Sequence, residues 1–350
     1  MSDEVKPVPN AVAGPVPGGA VPPTALLLLD IGTPADVADA RPFLKRLYAD
    51  PHVLQMPLSG MLLELLAWGI GMSRGARLVE ALRAVGGRAP EKAELEQLAE
   101  TLAVSLTRKL GRPFSPFVAF RHSKPGVVET LDKIRAAGCR RVVALFARTF
   151  PSPAGSGSMR AELTLCASDV SGLDVSMIDG FASDAGVRQA FAVEAKEALA
   201  SLPESERDAA RLLFVVQGQP QRARKDPVLP LARELAEAVR DAMGVKNAFS
   251  VAYQSEVDPR ATLLPQAKDE IARLAAEKCR GLVLVPVSHV CETLATRWEL
   301  DLLLVPMAKA AGIAHVVRVR APAAGAPMQQ ALAEVVERHF AEMETFRAGA

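Results

Sequence analysis

The chain has 350 residues, a length that suits two domains of ordinary size better than one core. Hydrophobic residues make up 49% and charged residues 23%, and a formal net charge of +1 gives no reason to expect a nucleic-acid partner. The four cysteines are scattered without a Cys-x-x-Cys pair, which is typical neither of a disulfide framework nor of a zinc site. These features favour a cytoplasmic globular protein.

Residues 1–24 are rich in Pro, Ala, Val and Gly and lack the basic start and continuous apolar stretch of a signal peptide. We interpret them as a disordered leader. No apolar run reaches the roughly 18 residues that a membrane span needs. Residues 61–72 come closest, but Glu64 interrupts them. They predict an amphipathic helix that is either buried or lies on a membrane, so a peripheral membrane contact through residues 56–72 stays open.

The first half of the chain alternates short apolar runs with helical patterns. The opening run ends at Gly32, where Thr33 can cap and Pro34 fits the first turn of a helix. The predicted strands are residues 25–31, 117–123 and 141–147, and the predicted helices are residues 40–50, 91–110 and 125–138.

The second half repeats this order, with predicted strands at 211–218, 249–255 and 279–287 and predicted helices at 228–244 and 259–277. Strands that are almost wholly apolar and alternate with helices predict parallel sheets covered on both faces. The sequence therefore predicts an α/β protein of two similar Rossmann-like domains, residues 25–175 and 176–325. A last helix, residues 326–345, is expected to pack back on the first domain.

In sheets of this kind ligands bind beyond the carboxyl ends of the strands. We therefore expect Asp30, His122, Gln217 and the loop at residues 287–295 to surround a ligand cleft between the domains.

The strand-end motifs together resemble those of the ferrochelatases, which insert ferrous iron into a porphyrin. They are LLLLDIGTP (26–34), FRHSKPGVVETL (120–131), VAYQSEVDP (251–259) and VPVSHVCETLATRWELD (285–301). The resemblance covers about residues 25–345. It implies the two-domain fold of the ferrochelatases (type II chelatases) and a role in haem biosynthesis. It also implies porphyrin and ferrous iron as substrates or haem as a ligand, with no required cofactor; the scattered cysteines argue against an iron–sulfur cluster.

Both catalytic positions of that family are substituted in this chain. The family's Phe-Ser-Ala-His-Gly-Leu-Pro matches residues 214–220, so Gln217 holds the place of the histidine. A gapless alignment ending in Glu-Leu-Asp at residues 299–301 puts Ala295 in the place of the glutamate. Neither glutamine nor alanine has a titratable group, whereas a positioned base typically contributes about 10²–10⁴-fold to a rate.

Other side chains are candidates for replacing the missing pair. His289 and Glu292 lie on the same predicted loop as Ala295, and His122 follows another strand. Each is a candidate base, and His289 and Glu292 are also candidate metal ligands; structural roles are the alternative for all three. The residues expected to contact a porphyrin are Arg121, which could pair with a propionate, and Phe150, Met56, Tyr253 and Trp298.

Three hypotheses remain open from the sequence. The first is a chelatase with a rearranged active site. The second is a catalytically silent paralogue that binds porphyrin or haem as a carrier, sensor or regulatory partner. The third is an α/β binding protein for an unrelated ligand. The loss of both catalytic groups favours the second, and family resemblance favours the first. The sequence does not determine the oligomeric state, the porphyrin or the metal.

Overall fold

The computed structural model of the chain describes residues 21–56, 60–170, 172–218, 228–254 and 265–348. Residues 1–20 of the predicted leader lie outside this part of the chain. The same holds for residues 57–59, for 219–220 in the stretch matched to the family's histidine motif (214–220) and for 255–259 in the motif at 251–259.

Within the described residues, eight strands form two four-stranded parallel sheets. The first sheet has the order β2-β1-β3-β4, from β1 (Thr24–Asp30), β2 (Phe114–Phe120), β3 (Arg141–Phe146) and β4 (Asp174–Ile178). The second has the matching order β6-β5-β7-β8, from β5 (Arg211–Gln217), β6 (Phe249–Gln254), β7 (Gly281–Pro286) and β8 (His315–Arg318). This arrangement confirms two similar parallel α/β units.

Helices cover both faces of the sheets. In the first half they are α1 (Ala40–Tyr48), α2 (Pro51–Leu54), α3 (Gly60–Ala84), α4 (Glu91–Leu110), α5 (Val127–Ala136), a π-helical turn (Pro153–Gly157) and α6 (Ser158–Asp169). In the second half they are α7 (Ala185–Ala200), α8 (Glu204–Arg207), α9 (Val228–Met243), α10 (Ala267–Ala276), a π-helix (Ala295–Leu304), α11 (Val305–Ala310), a 3₁₀ turn (Pro322–Ala324) and α12 (Ala326–Ala348).

Three strands, β2, β4 and β8, differ most from the predictions. Strand β2 starts three residues earlier than predicted and includes Pro116, which is tolerated because β2 lies at the edge of its sheet. Strands β4 and β8 were not predicted, since both are short and only partly buried. Because β4 runs to Ile178, the first sheet extends beyond the predicted boundary at residue 175.

One hydrophobic core joins the two sheets. Alternate residues of a strand point to opposite faces, so Leu26 and Leu28 of β1 and Phe214 and Val216 of β5 face this shared core. Helices α4, α7, α9 and α12 contribute to it. The two units therefore pack against each other through these helices.

Helix α12 packs on the first half as well as on α7. The ring of Phe340 contacts Phe114 edge-on, with centroids 5.5 Å apart. Lys109 Nζ lies 3.3 Å from Glu337 Oε2. None of the described helices is long and apolar enough to cross a membrane.

Candidate functional site

A cavity of about 620 Å³ opens at the carboxyl ends of the strands, between the two sheets. The turn after β1 (residues 31–34), the end of β5, and the loops after β3 and β7 contribute to its wall, as do α1 and α3. The loops after β3 and β7 pair directly, with Thr149 N donating to Ser288 O at 3.3 Å. Apolar side chains dominate one side, among them Leu44, Leu47, Met56, Phe150, Leu294 and Trp298.

A largely buried arginine connects the ends of β1 and β5. Arg148 Nε donates to Asp30 Oδ1 at 2.5 Å, and its Nη1 donates to Gln217 Oε1. Gln217 N donates to Ser288 Oγ at 2.8 Å. Asp30 is 2% exposed, so its charge needs this partner. The arginine thus neutralises Asp30 and fixes the amide of Gln217 with its oxygen toward the guanidinium.

His289 is a buried imidazole on the cavity wall, 4% exposed. Neither of its ring nitrogens has a hydrogen-bond partner among the residues that the structure describes. Burial, with a smaller contribution from the charge of Arg148, lowers the pKa of His289 well below its usual value. The ring is therefore neutral at neutral pH and offers one nitrogen as an acceptor.

Glu91 is a second buried titratable group on this wall. It is the first residue of α4 and only 3% exposed. The side chain of Thr33 hydrogen-bonds to it, while its Oε2 has no partner within the described ranges. Burial, reinforced by the charge of Asp30, raises the pKa of Glu91 to about 8.

Two further carboxylates hold loops at the edges of the cleft. Asp50 lies 3.1 Å from Arg121 Nη2 and 3.4 Å from His122 Nε2, and accepts a hydrogen bond from Ser158 Oγ. Burial alone raises the pKa of Asp50, but the hydrogen bonds from His122, Ser158 and the backbone, with the charge of Arg121, lower it below its usual value.

Glu292 is the second of these carboxylates and lies in the second half of the chain. It accepts hydrogen bonds from Arg318 Nη1 at 2.5 Å, Thr296 Oγ1 at 2.7 Å and Ala321 N at 2.9 Å. Burial raises its pKa, but Arg318 and the other donors outweigh burial and lower it. A carboxylate with these three donors is an anchor between the loop after β7 and β8.

Comparisons with known proteins agree with this geometry. The family model described as Ferrochelatase matches residues 23–340. The chain belongs to the ferrochelatase family. The ferrochelatase of Gloeobacter violaceus is 32% identical over 317 residues, 89% of this chain and 96% of that protein. The ferrochelatase of Geotalea uraniireducens is 31% identical over 295 residues, 83% of this chain and 90% of that protein.

A solved structure shares the fold at lower identity. SirB from Bacillus subtilis with Fe³⁺ superposes with a TM-score of 0.54 at 12% identity, covering 92% of this chain and 98% of that one. The predicted chelatase-type fold is thereby confirmed.

The two residues that the sequence resemblance aligned with the family's catalytic pair both face the cavity. Gln217 ends β5, and Ala295 begins the π-helix that follows the loop after β7. Gln217 is held by Arg148, and Ala295 presents only a methyl group. At these two positions the wall therefore carries no group that can exchange a proton.

The structure brings together six of the predicted site residues on this one cavity: Gln217, Ala295, His289, Met56, Phe150 and Trp298. Four others lie elsewhere. His122 and Arg121 turn toward Asp50, because their side chains pair with that buried carboxylate. Glu292 is held by Arg318, and Tyr253 packs in the shared core.

No group of three or more His, Cys, Asp or Glu side chains in the described part of the chain is arranged to hold a metal ion. His289 and Glu292 are therefore not part of a larger ligand cluster there. Sequence reasoning missed Glu91, since an acid in the first turn of a helix is ordinarily an exposed partner of the helix dipole.

Proposed function

We propose that this protein binds a porphyrin in the cleft and inserts ferrous iron into it without the histidine and glutamate of its family. The observation that carries the proposal is His289, a buried imidazole on the cavity wall with both ring nitrogens unpartnered among the described residues. Leaving a buried polar group unpaired costs free energy, so such a group in a binding cavity is best explained by a ligand that completes it.

The lining of the cavity supports a ligand with an apolar ring. Met56, Phe150 and Trp298 provide apolar surface for a ring. Insertion requires the removal of two pyrrole protons and the delivery of ferrous iron as the second substrate. A neutral imidazole has a nitrogen lone pair, which can take up a proton or bind ferrous iron.

A specific observation favours a second candidate, a catalytically silent paralogue that carries or senses porphyrin or haem. Gln217 occupies the catalytic histidine position with its amide oxygen bound to Arg148, and Arg148 is in turn neutralised by Asp30. The hydrogen bonds among Asp30, Arg148 and Gln217 satisfy these side chains, and the amide of Gln217 has no proton to exchange with a substrate.

An anaerobic insertion assay on the purified protein separates the two candidates. Porphyrin absorbance is followed with ferrous iron and, separately, with zinc, beside a Gln217→His, Ala295→Glu double variant. Turnover by the natural sequence supports the first proposal. Porphyrin binding without turnover, with activity only in the double variant, supports the silent carrier. Absence of porphyrin binding in both proteins contradicts both and leaves an unrelated ligand.

We further propose that α3 contacts a membrane surface beside the cleft. Met61, Leu62, Leu65, Trp68 and Met72 are each at least 49% exposed on this helix, and Leu78 of the same helix lines the cavity. Such an apolar face supports shallow insertion at a lipid surface, from which an apolar porphyrin could enter the cleft.

A further inference from the structure

The turn after β1 places Glu91 against the cavity. Gly32 has φ +90°, and a Cβ there would lie 2.7 Å from Ser123 Oγ, so the turn packs closely on the end of β2. Thr33 follows and hydrogen-bonds the Glu91 carboxyl, leaving Oε2 without a partner in the described residues. The carboxyl is thus held in one position with one oxygen available to a ligand.

The charged groups that act on Glu91 come from the first half of the chain. Asp30 and Glu94 disfavour its ionised form, whereas Arg148 and the hydrogen bond with Thr33 favour it. The thiol of Cys291, from the loop after β7, is also buried here, and burial together with nearby carboxylates, Glu91 among them, raises its pKa well above the usual value. The site is therefore short of positive charge, and a cation entering it favours ionisation of Glu91.

Resting on the proposed function, we propose that Glu91 is the carboxylate that accepts a pyrrole proton during metal insertion. In this step a pyrrole N–H bond breaks and its electron pair stays on nitrogen to form a bond with ferrous iron. The proton forms an O–H bond at Glu91 Oε2 and then leaves to water; the second pyrrole proton also leaves to water. Glu91 occupies neither of the family's two catalytic positions.

The ionisation of Glu91 predicts how the rate of metal insertion depends on pH. Burial, with the negative charge of Asp30, raises its pKa to about 8, so most of the carboxyl is protonated at neutral pH. The accepting form appears as the pH rises through that value. Insertion is therefore expected to accelerate between about pH 7 and pH 9 in the natural protein.

The test compares Glu91→Gln with Glu94→Gln. The glutamine at position 91 keeps the shape and the acceptor for Thr33 but cannot take a proton. Glu94 lies on the same helix and its pKa is also raised, chiefly by burial, but it accepts from Glu292 N at 2.7 Å and does not line the cavity. Porphyrin binding is measured by quenching of tryptophan fluorescence, and insertion of ferrous iron and of zinc by absorbance.

We expect Glu91→Gln to bind porphyrin as the natural protein does, to lose on the order of 10²-fold in kcat and to lose the rise through pH 8. Glu94→Gln is expected to keep the rate reached above pH 8 and to move the rise slightly to lower pH, because the charge of Glu94 helps to raise the pKa of Glu91. A Glu91→Gln variant with the natural rate and pH profile overturns the role of Glu91 while leaving the proposed function intact.

Infrared spectroscopy gives a readout that does not need turnover. At neutral pH the natural protein should have a protonated-carboxyl C=O band that is absent from Glu91→Gln and shifts when metal-free porphyrin binds. If the natural protein inserts no metal, the proposed function fails and with it the proton transfer. In that case a shifted band still supports contact between Glu91 and porphyrin, and an unchanged band overturns the contact as well.

Discussion

The two halves of the molecule share a topology but differ in the chemistry at their strand ends. Both sheets have the same strand order, and in both the central strand faces two separate cores with alternate residues. Yet β1 ends in the buried carboxylate Asp30, whereas β5 ends in the neutral amide of Gln217. Apolar strand interiors set the fold, and the residues just beyond them are free to carry different chemistry.

The first half also supplies most of the charge in the cleft. Asp30, Glu91 and Arg148 come from it, whereas the second half contributes the amide of Gln217, the imidazole of His289 and one carboxyl, that of Glu299. The proposed proton acceptor Glu91 lies in the first half, whereas the two residues aligned with the family's catalytic pair, Gln217 and Ala295, lie in the second. The following substitutions test that asymmetry, from the largest expected effect to the smallest.

Replacing Asp30 should have the largest effect, because Arg148, whose side chain is only 13% exposed, then loses its countercharge. We expect Asp30→Ala to lower the free energy of unfolding by about 3–5 kcal/mol, measured by urea denaturation at neutral pH. Asp132→Ala is the control, since Asp132 pairs with Arg135 on an exposed helix face where both side chains are more than half exposed. Equal losses in the two variants would contradict a special role for the buried pair.

Replacing Glu292 tests the anchor of the second half. Arg318 keeps Asp301 at 2.6 Å, so Glu292→Gln should cost less, about 1–3 kcal/mol at pH 7. The folded-state pKa of Glu292 is lowered, so its stabilisation is present above its usual value of 4.5 and is lost as the pH falls below it. The difference between natural protein and variant should therefore shrink from pH 7 toward about pH 3.5.

The matched measurement uses Glu96→Gln, whose exposed partner is Lys92. This control should leave both the stability at neutral pH and the acid profile nearly unchanged, because exposed ion pairs contribute little. A constant difference between Glu292→Gln and the natural protein across the pH range would mean that Glu292 acts through packing and not through its charge.

Replacing Gln217 tests the contact between the halves directly. Gln217→Ala removes one acceptor of Arg148 but leaves Asp30 in place, so we expect a loss of about 1–2 kcal/mol in unfolding free energy. Because Asp30 and Gln217 share Arg148, the Asp30→Ala, Gln217→Ala double variant should deviate from additivity by at least about 0.5 kcal/mol. Additive losses would indicate that the arginine does not couple the two strand ends.

The sequence predicted the repeated α/β plan because its evidence is local. Runs such as residues 25–31 and 211–218 are almost wholly apolar, and the helices between them begin and end at ordinary signals. The same signals were too weak for β4, which is polar at its start. Gly32 and Pro34 marked the turn after β1 without indicating what it would contact.

The sequence predicted where the cleft lies but only some of the residues that line it. His122 and Arg121 do follow a strand, as expected, but a strand end does not fix where a side chain turns, and the buried Asp50 attracts both. Glu91 was not predicted as a site residue, because its burial depends on how the start of α4 packs against the turn after β1. That contact joins residues nearly sixty positions apart, and no local pattern indicates it.

Helix α3 has no equivalent among the described residues of the second half. Its exposed apolar face should matter for membrane binding and little for stability. We expect a Leu62→Glu, Leu65→Glu variant to change the free energy of unfolding by no more than about 0.5 kcal/mol per site while reducing sedimentation with vesicles of phosphatidylcholine and phosphatidylglycerol. Val104→Glu, Val128→Glu is the control, since it adds the same charge at two exposed apolar sites on α4 and α5. Reduced vesicle binding in both variants would mean that the added negative charge causes the loss. A loss confined to the α3 variant would assign the membrane contact to this helix, because only that variant removes apolar surface beside the cleft.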